Sequence, residues 1–349
     1  MKQIRIGNRL IGEGEPCFII AEAGVNHNGD INLAKKLIDV AKEAGADAVK
    51  FQTFKAEELV TRSAEKAGYQ KETTPSDESQ YDMIKKLELP EKDFRELFTH
   101  ARSKDIVFLS TPYDKQSVDL LARLGVPAIK VSSADITNHP LLSRVAAKKL
   151  PIILSTGMST LGEVEEAVGE IVNSGNEQII LLHCNFNYPA RVKDINLRAM
   201  NTLRQAFNLP VGYSDHTMGI EVSLAAVALG AVVIEKHFTL DRNLPGPDHR
   251  ASLEPGELRE MVVKIRNVEQ ALGSPVKQPF GEEVQNREIC RRSLVARVDI
   301  PQGSIITEEM IDAKRPGTGI SPKYIAALVG RKAVSTIKKD DLITWDKVR

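Results

Sequence analysis

Short apolar runs alternate with amphipathic segments over the first three-quarters of the chain. The runs are nearly continuous in aliphatic residues and are bounded by Gly, Pro or polar residues, which is typical of parallel strands buried on both faces. They cover residues 17–21, 46–51, 105–109, 128–131, 151–154, 178–182, 211–214 and 231–234. Strands that alternate with helices eight times predict a (β/α)8 TIM barrel, a fold of about 250 residues.

The segments between the runs have helical spacing. Leu33, Leu37, Val40 and Ala41, for example, fall on one stripe, which predicts a helix with one buried face. A doubly wound open sheet is the alternative arrangement of such elements. The sequence contains no Gly-x-Gly-x-x-Gly turn after a predicted strand to support it.

Two features of the barrel region lie outside this repeat. Gly7-Asn8 stands between alternating stretches in residues 3–12 and predicts a hairpin that plugs the N-terminal end of the barrel. A long polar stretch, residues 55–82, follows the second predicted strand and includes a turn-like sequence at 73–77. Long loops on the catalytic face of a barrel are usually functional, so we expect this stretch to take part in the site.

The pattern changes after residue 274. Residues 275–288 begin with a Pro- and Gly-containing sequence that predicts a linker. Residues 298–311 and 335–348 resemble each other, with an Ile, a polar turn, two aliphatic residues and a Thr at matching places. This repeat predicts a small, mostly β domain with pseudo-symmetry. The predicted organisation is a barrel domain in 1–274, a linker in 275–288 and the small domain in 289–349.

Composition and charge exclude several classes of protein. The 349 residues include 47 basic and 47 acidic side chains, so the bulk charge does not favour a nucleic-acid or membrane-surface partner. The sequence has no apolar run long enough for a transmembrane helix, and its N-terminus has no apolar signal-peptide core. Cys17, Cys184 and Cys290 are scattered and do not form a disulfide framework. We expect a cytoplasmic protein.

Polar residues end every predicted strand, at the end of the barrel where TIM-barrel enzymes carry out their chemistry. Such side chains suit an anion, a sugar hydroxyl or a metal, so the pattern predicts an active site at this end. They are Glu22; Lys50 and Gln52; Ser110 and Thr111; Lys130, Ser132 and Ser133; Ser155 and Thr156; His183 and Asn185; Asp215 and His216; and Glu235, Lys236 and His237.

Two histidines end neighbouring strands. His216 and His237 would bring two imidazoles together, which favours a divalent transition metal with open positions for substrate oxygens. His183 lies within an apolar run and is expected to be structural. Cys184 has no evident partner base in the sequence, so we expect it to pack rather than to react.

Cations and hydroxyls from consecutive strands predict a cradle for a phosphate and a carboxylate. Glu22, Gln52 and Glu235 would then face a polyhydroxylated substrate. The members of the predicted cradle are Lys50, Thr111, Lys130, Ser133 and Ser155.

Two further charged side chains lie in Pro- and Gly-rich loops. Asp248 belongs to the rigid loop 245–249 after the last barrel strand and would face the same substrate. Arg315 stands just before a Pro-Gly turn in the small domain. Its residue type and position are compatible with a solvated turn and with a bidentate ligand offered to an active site.

These motifs together resemble the sialic acid synthase family, which includes synthases of N-acetylneuraminic, legionaminic and pseudaminic acids. The motifs occur in order over nearly the whole chain, and the small domain resembles the antifreeze-like (SAF, β-clip) module of these enzymes. They cover residues 21–29, 49–55, 109–112, 154–158, 182–184, 212–216, 234–239, 245–249 and 314–317.

The resemblance implies a function and a site. The function is N-acetylneuraminate synthesis, a condensation of phosphoenolpyruvate with N-acetylmannosamine that releases phosphate by C–O cleavage. A Mn²⁺ or Mg²⁺ ion would bind His216 and His237, and Arg315 would reach the partner's barrel in a domain-swapped homodimer. The implied catalytic residues are Glu22, Lys50, Asp135, His216 and His237. The implied phosphoenolpyruvate ligands are Lys50, Thr111, Lys130, Ser133 and Ser155, and the implied sugar ligands are Gln52, Tyr188, Glu235, Asp248 and Arg315.

Two departures from the family pattern leave the substrate open. Asp135 stands where the pattern has Glu, and Phe186 stands where relatives have a small or polar residue. The nearest alternative is the same reaction on a diacetylated 6-deoxy sugar, giving legionaminate or pseudaminate. A condensation with a sugar phosphate would need a second basic cluster, and a carbohydrate-binding protein would not need a metal pair.

Overall fold

The described part of the chain is residues 2–75 and 77–349 of a computed structural model, and it divides into two units. The first unit ends at Gly273 and the second begins at Ser274. Ser76, in the polar stretch singled out above, lies outside the described residues. The predicted linker, 275–288, contains the start of a helix at Glu282–Cys290.

A two-stranded antiparallel hairpin precedes the barrel, with strands β1 (Ile4–Ile6) and β2 (Arg9–Ile11). Gly7 takes a φ of 58° at its turn, a conformation that side chains other than Gly rarely adopt. Ile4, Ile6 and Ile11 are buried in the same apolar cluster as Phe18 of the barrel interior. The hairpin therefore plugs the N-terminal end of the barrel, as predicted.

Parallel strands form the barrel wall, and the predicted TIM-barrel fold is confirmed. Within the described residues, eight strands pair in the order β5-β4-β3-β10-β9-β8-β7-β6, and β5 lies beside β6 to close the sheet. The strands are β3 (Phe18–Gly24), β4 (Ala48–Thr53), β5 (Val107–Pro112), β6 (Ile129–Val131), β7 (Ile152–Ser155), β8 (Ile179–Cys184), β9 (Val211–Asp215) and β10 (Val233–His237).

Amphipathic helices cover the outside of the barrel and bury their apolar faces against the strands. The polar stretch after β4 contains two short helices, α2 and α3, and the start of α4. The helices are α1 (Ile31–Glu43), α2 (Ala56–Leu59), α3 (Gly68–Thr73), α4 (Gln80–Leu87), α5 (Glu91–Ser103), α6 (Lys115–Leu124), α7 (His139–Ala146), α8 (Leu161–Asn173), α9 (Ala199–Phe207), α10 (Glu221–Ala228) and α11 (Pro255–Leu272).

The second unit has its own apolar core and carries the predicted internal repeat. Ile300 and Ile337, which occupy matching places in the two repeats, form a backbone bridge to each other and are fully buried. Ile306 and Ile343 match in the same way and are also buried. The elements of this unit are α12 (Glu282–Cys290), β11 (Ser293–Ala296), β12 (Ile311–Lys314) and α13 (Ile325–Leu328). Across the part of the chain that the structure describes, no helix is both long and apolar enough to span a bilayer.

Candidate active site

The barrel interior changes from apolar to charged along each strand. Side chains alternate along a strand, so residues two apart face the same side. On β3, Phe18 and Ile20 belong to the apolar interior cluster, and Glu22 follows them at the carboxyl end. On β10, Val233 is followed in the same way by Glu235 and His237.

These inward-facing polar ends line a pocket that encloses an empty volume of ≈ 330 Å³, open solvent at its mouth included. It contains most of the residues that the sequence pointed to: Glu22, Lys50, Gln52, Thr111, Lys130, Ser133, Ser155, Tyr188, His216, Glu235 and His237. It is also lined by Ser132, one of the predicted strand-end residues, and by Tyr113, Cys184, Phe186 and Ser214, which the sequence did not identify as ligands.

Four buried charges form the centre of this pocket, and we call Glu22, Lys50, Lys130 and Glu235 the charge cluster. Lys50 Nζ lies 2.7 Å from Glu22 Oε2 and 3.6 Å from Glu235 Oε2. Lys130 Nζ lies 3.7 Å from Glu235 Oε1. Buried charges of this kind contribute little to stability compared with apolar packing, which points to a role in binding or chemistry.

The charge cluster shifts the pKa values of its members. Burial raises the pKa of Glu22 to about 7, although Lys50 acts against this rise. Burial lowers the pKa of Lys130. Burial alone would also lower the pKa of Lys50, but the carboxylates of Glu22 and Glu235 outweigh it and raise that pKa. Glu22 is thus a carboxyl group able to gain or lose a proton near neutral pH.

Hydroxyl groups surround the two lysines of the cluster. Lys50 Nζ donates to Thr111 Oγ1 over 2.9 Å, and the Gly157 amide donates to Ser133 Oγ over 2.9 Å. Ser155 Oγ is buried and has no hydrogen-bond partner among the described residues. Buried polar groups are normally satisfied, so this hydroxyl is consistent with a ligand atom beside it. Two cations and three hydroxyls therefore converge as a phosphate and carboxylate cradle requires.

The two histidines lie together at the ends of β9 and β10. Their ring centroids are 5.4 Å apart. His216 Nδ1 donates to the Asn185 carbonyl over 2.7 Å, so Nε2 is the acceptor nitrogen of the ring and receives a hydrogen bond from the Tyr188 hydroxyl over 3.1 Å. His237 Nδ1 is buried and hydrogen-bonds to no described residue. Burial lowers the pKa of His237 well below its usual value and keeps the ring neutral, the form that binds metals.

These donors fit a divalent metal with open positions. The buried Nδ1 of His237 is the observation that supports this fit, because it hydrogen-bonds to no described residue. In residues 2–75 and 77–349, no group of three or more His, Cys, Asp or Glu side chains is arranged to bind a metal. The remaining ligands would therefore have to come from substrate or water.

Cys184 lies beside His216, a contact that the sequence did not indicate, but His216 Nδ1 donates to the Asn185 carbonyl and so is not a base toward the thiol. Its Sγ lies 3.9 Å from His216 Nδ1 and it lines the pocket. The contact arises because β8 and β9 are neighbours, with Cys184 in register with Ser214. His183 has the structural role that was expected, because its Nε2 hydrogen-bonds to the Ile195 carbonyl over 2.7 Å.

Aromatic side chains form one side of the pocket. The Tyr188 ring stacks on the His216 ring with 4.1 Å between their centroids. Phe186 packs edge-on against Tyr188 with a centroid distance of 5.7 Å. Phe186, one of the two departures from the family pattern, therefore lies in the site itself. It gives the pocket an apolar face where the family pattern has a small or polar residue.

Three predicted site residues do not line the pocket. Asp248 is buried with its Oδ2 3.9 Å from His237 Nδ1, and burial raises its pKa to about 6. Asp135 is buried, with Oδ1 accepting from Asn138 Nδ2 over 3.0 Å and Oδ2 bonded to no described residue. Arg315 is an exposed residue of the second unit.

Two strand-end charges point away from the pocket. Asp215 and Lys236 alternate with the histidines and form a fully buried ion pair of 2.9 Å on the outer face of the sheet. Lys236 Nζ donates to the Thr217 carbonyl over 2.6 Å, and Asp215 accepts from Ser223 of α10 over 2.7 Å. This pair ties the histidine-bearing strand ends to α10. The period of two along a strand could have indicated that Asp215 and Lys236 point away from the pocket, because each is adjacent to an inward-facing histidine.

Two known protein families match this chain, one over most of the first unit and one over most of the second. The NeuB family profile matches residues 37–277, and the SAF domain profile matches residues 291–349. The chain belongs to the NeuB family. The resemblance to sialic acid synthases and to their antifreeze-like domain is confirmed.

Relatives within the family are nonulosonic acid synthases. The N,N'-diacetyllegionaminic acid synthase of Campylobacter jejuni is 53% identical over 93% of this chain and 98% of its own. The enzyme of the same name from Legionella pneumophila is 50% identical over 97% of this chain and 96% of its own. A crystal structure of the N-acetylneuraminic acid synthetase of Leptospira borgpetersenii in complex with citrate is 40% identical, with a TM-score of 0.73 over 82% of this chain and 95% of that one.

Proposed function

We propose that this protein condenses phosphoenolpyruvate with an amino sugar to form a nonulosonic acid and phosphate. The observation that carries the proposal is the buried charge cluster with its surrounding hydroxyls. Lys50 and Lys130 are buried and line the same pocket as Thr111, Ser133 and Ser155. Two ammonium groups with three hydroxyls suit a small dianion, whose phosphate and carboxylate would share the lysines. Membership of the NeuB family supports the same reaction.

The bond changes follow from the chemistry of the two substrates. C3 of phosphoenolpyruvate attacks the aldehyde carbon of the open-chain sugar, so that a C–C bond forms and the aldehyde oxygen becomes a hydroxyl. Water adds at C2, and the tetrahedral intermediate loses phosphate by cleavage of the C2–O bond. The products are a 2-keto acid with three more carbons than the sugar, and inorganic phosphate.

Residues of this chain have distinct parts in that scheme. Lys50 and Lys130 hold the charged groups of phosphoenolpyruvate, with Thr111, Ser133 and Ser155 as hydroxyl ligands. We assign proton exchange to Glu22, because a pKa of about 7 lets this carboxyl both hold and release a proton near neutral pH. We assign Gln52, Tyr188, Glu235 and Asp248 to the sugar, with Asp248 next to His237 rather than in the pocket lining. Asp135 is assigned as a supporting carboxylate, because it lies behind the pocket rather than in it.

His216 and His237 are the residues that would hold a Mn²⁺ or Mg²⁺ ion. When bound, such an ion would act as a Lewis acid on the sugar aldehyde. The chain's own contribution is to keep His237 neutral by burial and to orient His216 through its bond to the Asn185 carbonyl. Removal of metal with EDTA should abolish phosphate release, and Mn²⁺ should restore it.

The sugar that we favour is 2,4-diacetamido-2,4,6-trideoxymannose, which gives N,N'-diacetyllegionaminate. The two legionaminic acid synthases that are 53% and 50% identical to this chain support it. The apolar face made by Phe186 and Tyr188 also suits a methyl group at C6 and acetamido methyl groups better than it suits free hydroxyls. The family resemblance of the sequence motifs had favoured the other sugar, N-acetylmannosamine, as the substrate.

N-acetylmannosamine remains the second candidate, supported by the 40% identity to a sialic acid synthetase. A phosphate-release assay with phosphoenolpyruvate and Mn²⁺ separates the two, with both sugars offered in parallel. We expect kcat/KM to be at least about tenfold higher for the diacetamido sugar, because one apolar group in a pocket discriminates by about this factor. Preference for N-acetylmannosamine would overturn the choice of sugar, and release with neither would overturn the reaction.

We also propose that the protein is a cytoplasmic homodimer in which Arg315 of one chain completes the site of the other. Its exposure in the second unit leaves the guanidinium available for such a contact. Arg315→Ala should raise KM for the sugar more than KM for phosphoenolpyruvate. Mixing this variant with Lys50→Met should restore activity, because one of the two sites in a heterodimer would then have both residues. Verified heterodimers that remain inactive would contradict a shared site.

A further inference from the structure

The polar segment between β4 and α5 brings a tyrosine against Tyr188, which lines the pocket, whereas Tyr69 itself lies just behind that lining. Tyr69, in helix α3, lies with its ring centroid 5.2 Å from that of Tyr188. Tyr188 in turn contacts Phe186 at 5.7 Å. Tyr69, Tyr188 and Phe186 therefore form a continuous aromatic wall, and two segments that are distant in the sequence contribute to it.

Local contacts hold α3 in this position. The Thr73 hydroxyl donates to the Pro247 carbonyl over 3.4 Å, which links the helix to the loop that carries Asp248. The buried Lys66 donates to Thr74 Oγ1 over 3.0 Å and also bonds to the Pro75 carbonyl. Contacts at both ends of this short helix thus hold the Tyr69 ring against the ring of Tyr188.

The charges around Tyr69 favour a neutral ligand over an anion. The nearby Asp248 carboxylate would repel a phosphate, and the lysines of the segment are occupied elsewhere: Lys66 by Thr74 and Pro75, and Lys71 by Glu65. Burial, with Asp248 adding to it, raises the pKa of Tyr69, so the phenol keeps its proton. A neutral phenol combines an apolar face with a polar hydroxyl, which suits the N-acyl and C–H surfaces of an amino sugar.

We propose that Tyr69 is a specificity-determining residue of the amino-sugar subsite, whose ring contacts the acyl or 6-deoxy side of the sugar next to Tyr188. The inference rests on the proposed function only in taking an amino sugar as the second substrate. It gives the long segment after β4 a role in sugar specificity, in addition to the roles of the strand-end residues. Because the Tyr69 ring contacts Tyr188 on the proposed sugar side, we expect its loss to leave phosphoenolpyruvate binding unchanged.

Steady-state kinetics of Tyr69→Ala and Tyr69→Phe test the proposal. Tyr69→Ala should raise KM for the sugar about tenfold, with kcat and KM for phosphoenolpyruvate within about twofold of the parent. Tyr69→Phe should restore most of the sugar affinity, because the ring is retained. Tyr81→Phe is the matched control, since Tyr81 lies in the same segment but bonds to Glu57 instead of facing Tyr188.

Each result supports or overturns the proposal. An unchanged KM for the sugar in Tyr69→Ala overturns it, as does an equal rise in KM for both substrates, which would indicate a general structural role. If the parent enzyme releases phosphate with neither sugar, the proposed function fails, and calorimetric binding of the two sugars to parent and Tyr69→Ala then decides the role of Tyr69. Equal binding, or no binding to either protein, overturns it.

Discussion

The two ends of the barrel are built by the same strands but have opposite chemistry. At the N-terminal end, the inward positions are apolar, such as Phe18, Ile20 and Ile153, and the β1–β2 hairpin seals them from water. At the carboxyl end, the next inward positions on the same strands are Glu22 and Ser155. A step of two residues along a strand separates an apolar core from a buried charge.

This difference shows how the fold tolerates a costly site. Buried charges have to be paired because isolated ones are strongly disfavoured, and Lys50 pairs with both Glu22 and Glu235. The apolar end supplies packing that does not depend on these pairs. We therefore expect substitutions at the charged end to affect chemistry, and those at the apolar end to affect stability alone.

Lys50→Met should have the largest effect, because it acts on both properties. It leaves Glu22 and Glu235 with one fewer cation, which should lower the free energy of unfolding by about 3–5 kcal/mol. It also removes a proposed ligand of phosphoenolpyruvate, which should lower kcat/KM by about 10³-fold. Urea denaturation and phosphate release measure the two effects. The exposed Lys85→Met is the control and should change the unfolding free energy by less than about 0.5 kcal/mol. Retention of a tenth of the parent activity in Lys50→Met would remove Lys50 from the cradle.

His237→Ala should affect chemistry far more than stability. The buried Nδ1 hydrogen-bonds to no described residue, so the loss of stability should come only from packing against Tyr188 and His216 and should be smaller than for Lys50→Met, while kcat/KM should fall by about 10³-fold or more. Titration of Mn²⁺ followed by electron paramagnetic resonance gives a second readout, in which the variant should not bind the ion. His100→Ala, on the outer helix α5, should leave both readouts unchanged. A variant with normal Mn²⁺ affinity would rule out His237 as a ligand.

Ile153→Ala tests the apolar end by itself. Ile153 is fully buried in the interior cluster, and truncation of such a residue should lower the free energy of unfolding by about 2–5 kcal/mol. KM and kcat of the folded variant should match those of the parent, since the pocket begins one layer above. The exposed Ile289→Ala should be nearly neutral by comparison. A large change in kcat would mean that the two ends are coupled.

Asp135→Glu should have the smallest effect. The added methylene restores the residue type of the family pattern, and we expect activity within about threefold of the parent, whereas Asp135→Asn should lose about 10²-fold if the carboxylate handles a proton. Initial rates of phosphate release distinguish these outcomes. Normal activity in Asp135→Asn would show that the charge is not needed. Complete loss in Asp135→Glu would show that the local backbone leaves no room for the longer side chain.

Most of the architecture could be predicted from the sequence. Continuous apolar runs, Gly-Asn in residues 3–12 and the repeat that pairs Ile300 with Ile337 indicated the barrel, its plug and the second unit. The polar residues after the strands also located the site. These features are readable because they depend on periodicities of two and of 3.6 residues, which are local properties of the chain.

The sequence alone therefore determined which strands form the barrel and which residue types end them. Only the tertiary structure decided which of those residues meet. It brought Cys184 beside His216, turned Lys236 and Asp215 away from the pocket, and placed Tyr69 against Tyr188 across more than a hundred residues of sequence. It also set the pKa of Glu22 near 7. The physical reason is that contacts and burial arise from strand register and loop packing between distant segments, and no local pattern encodes them.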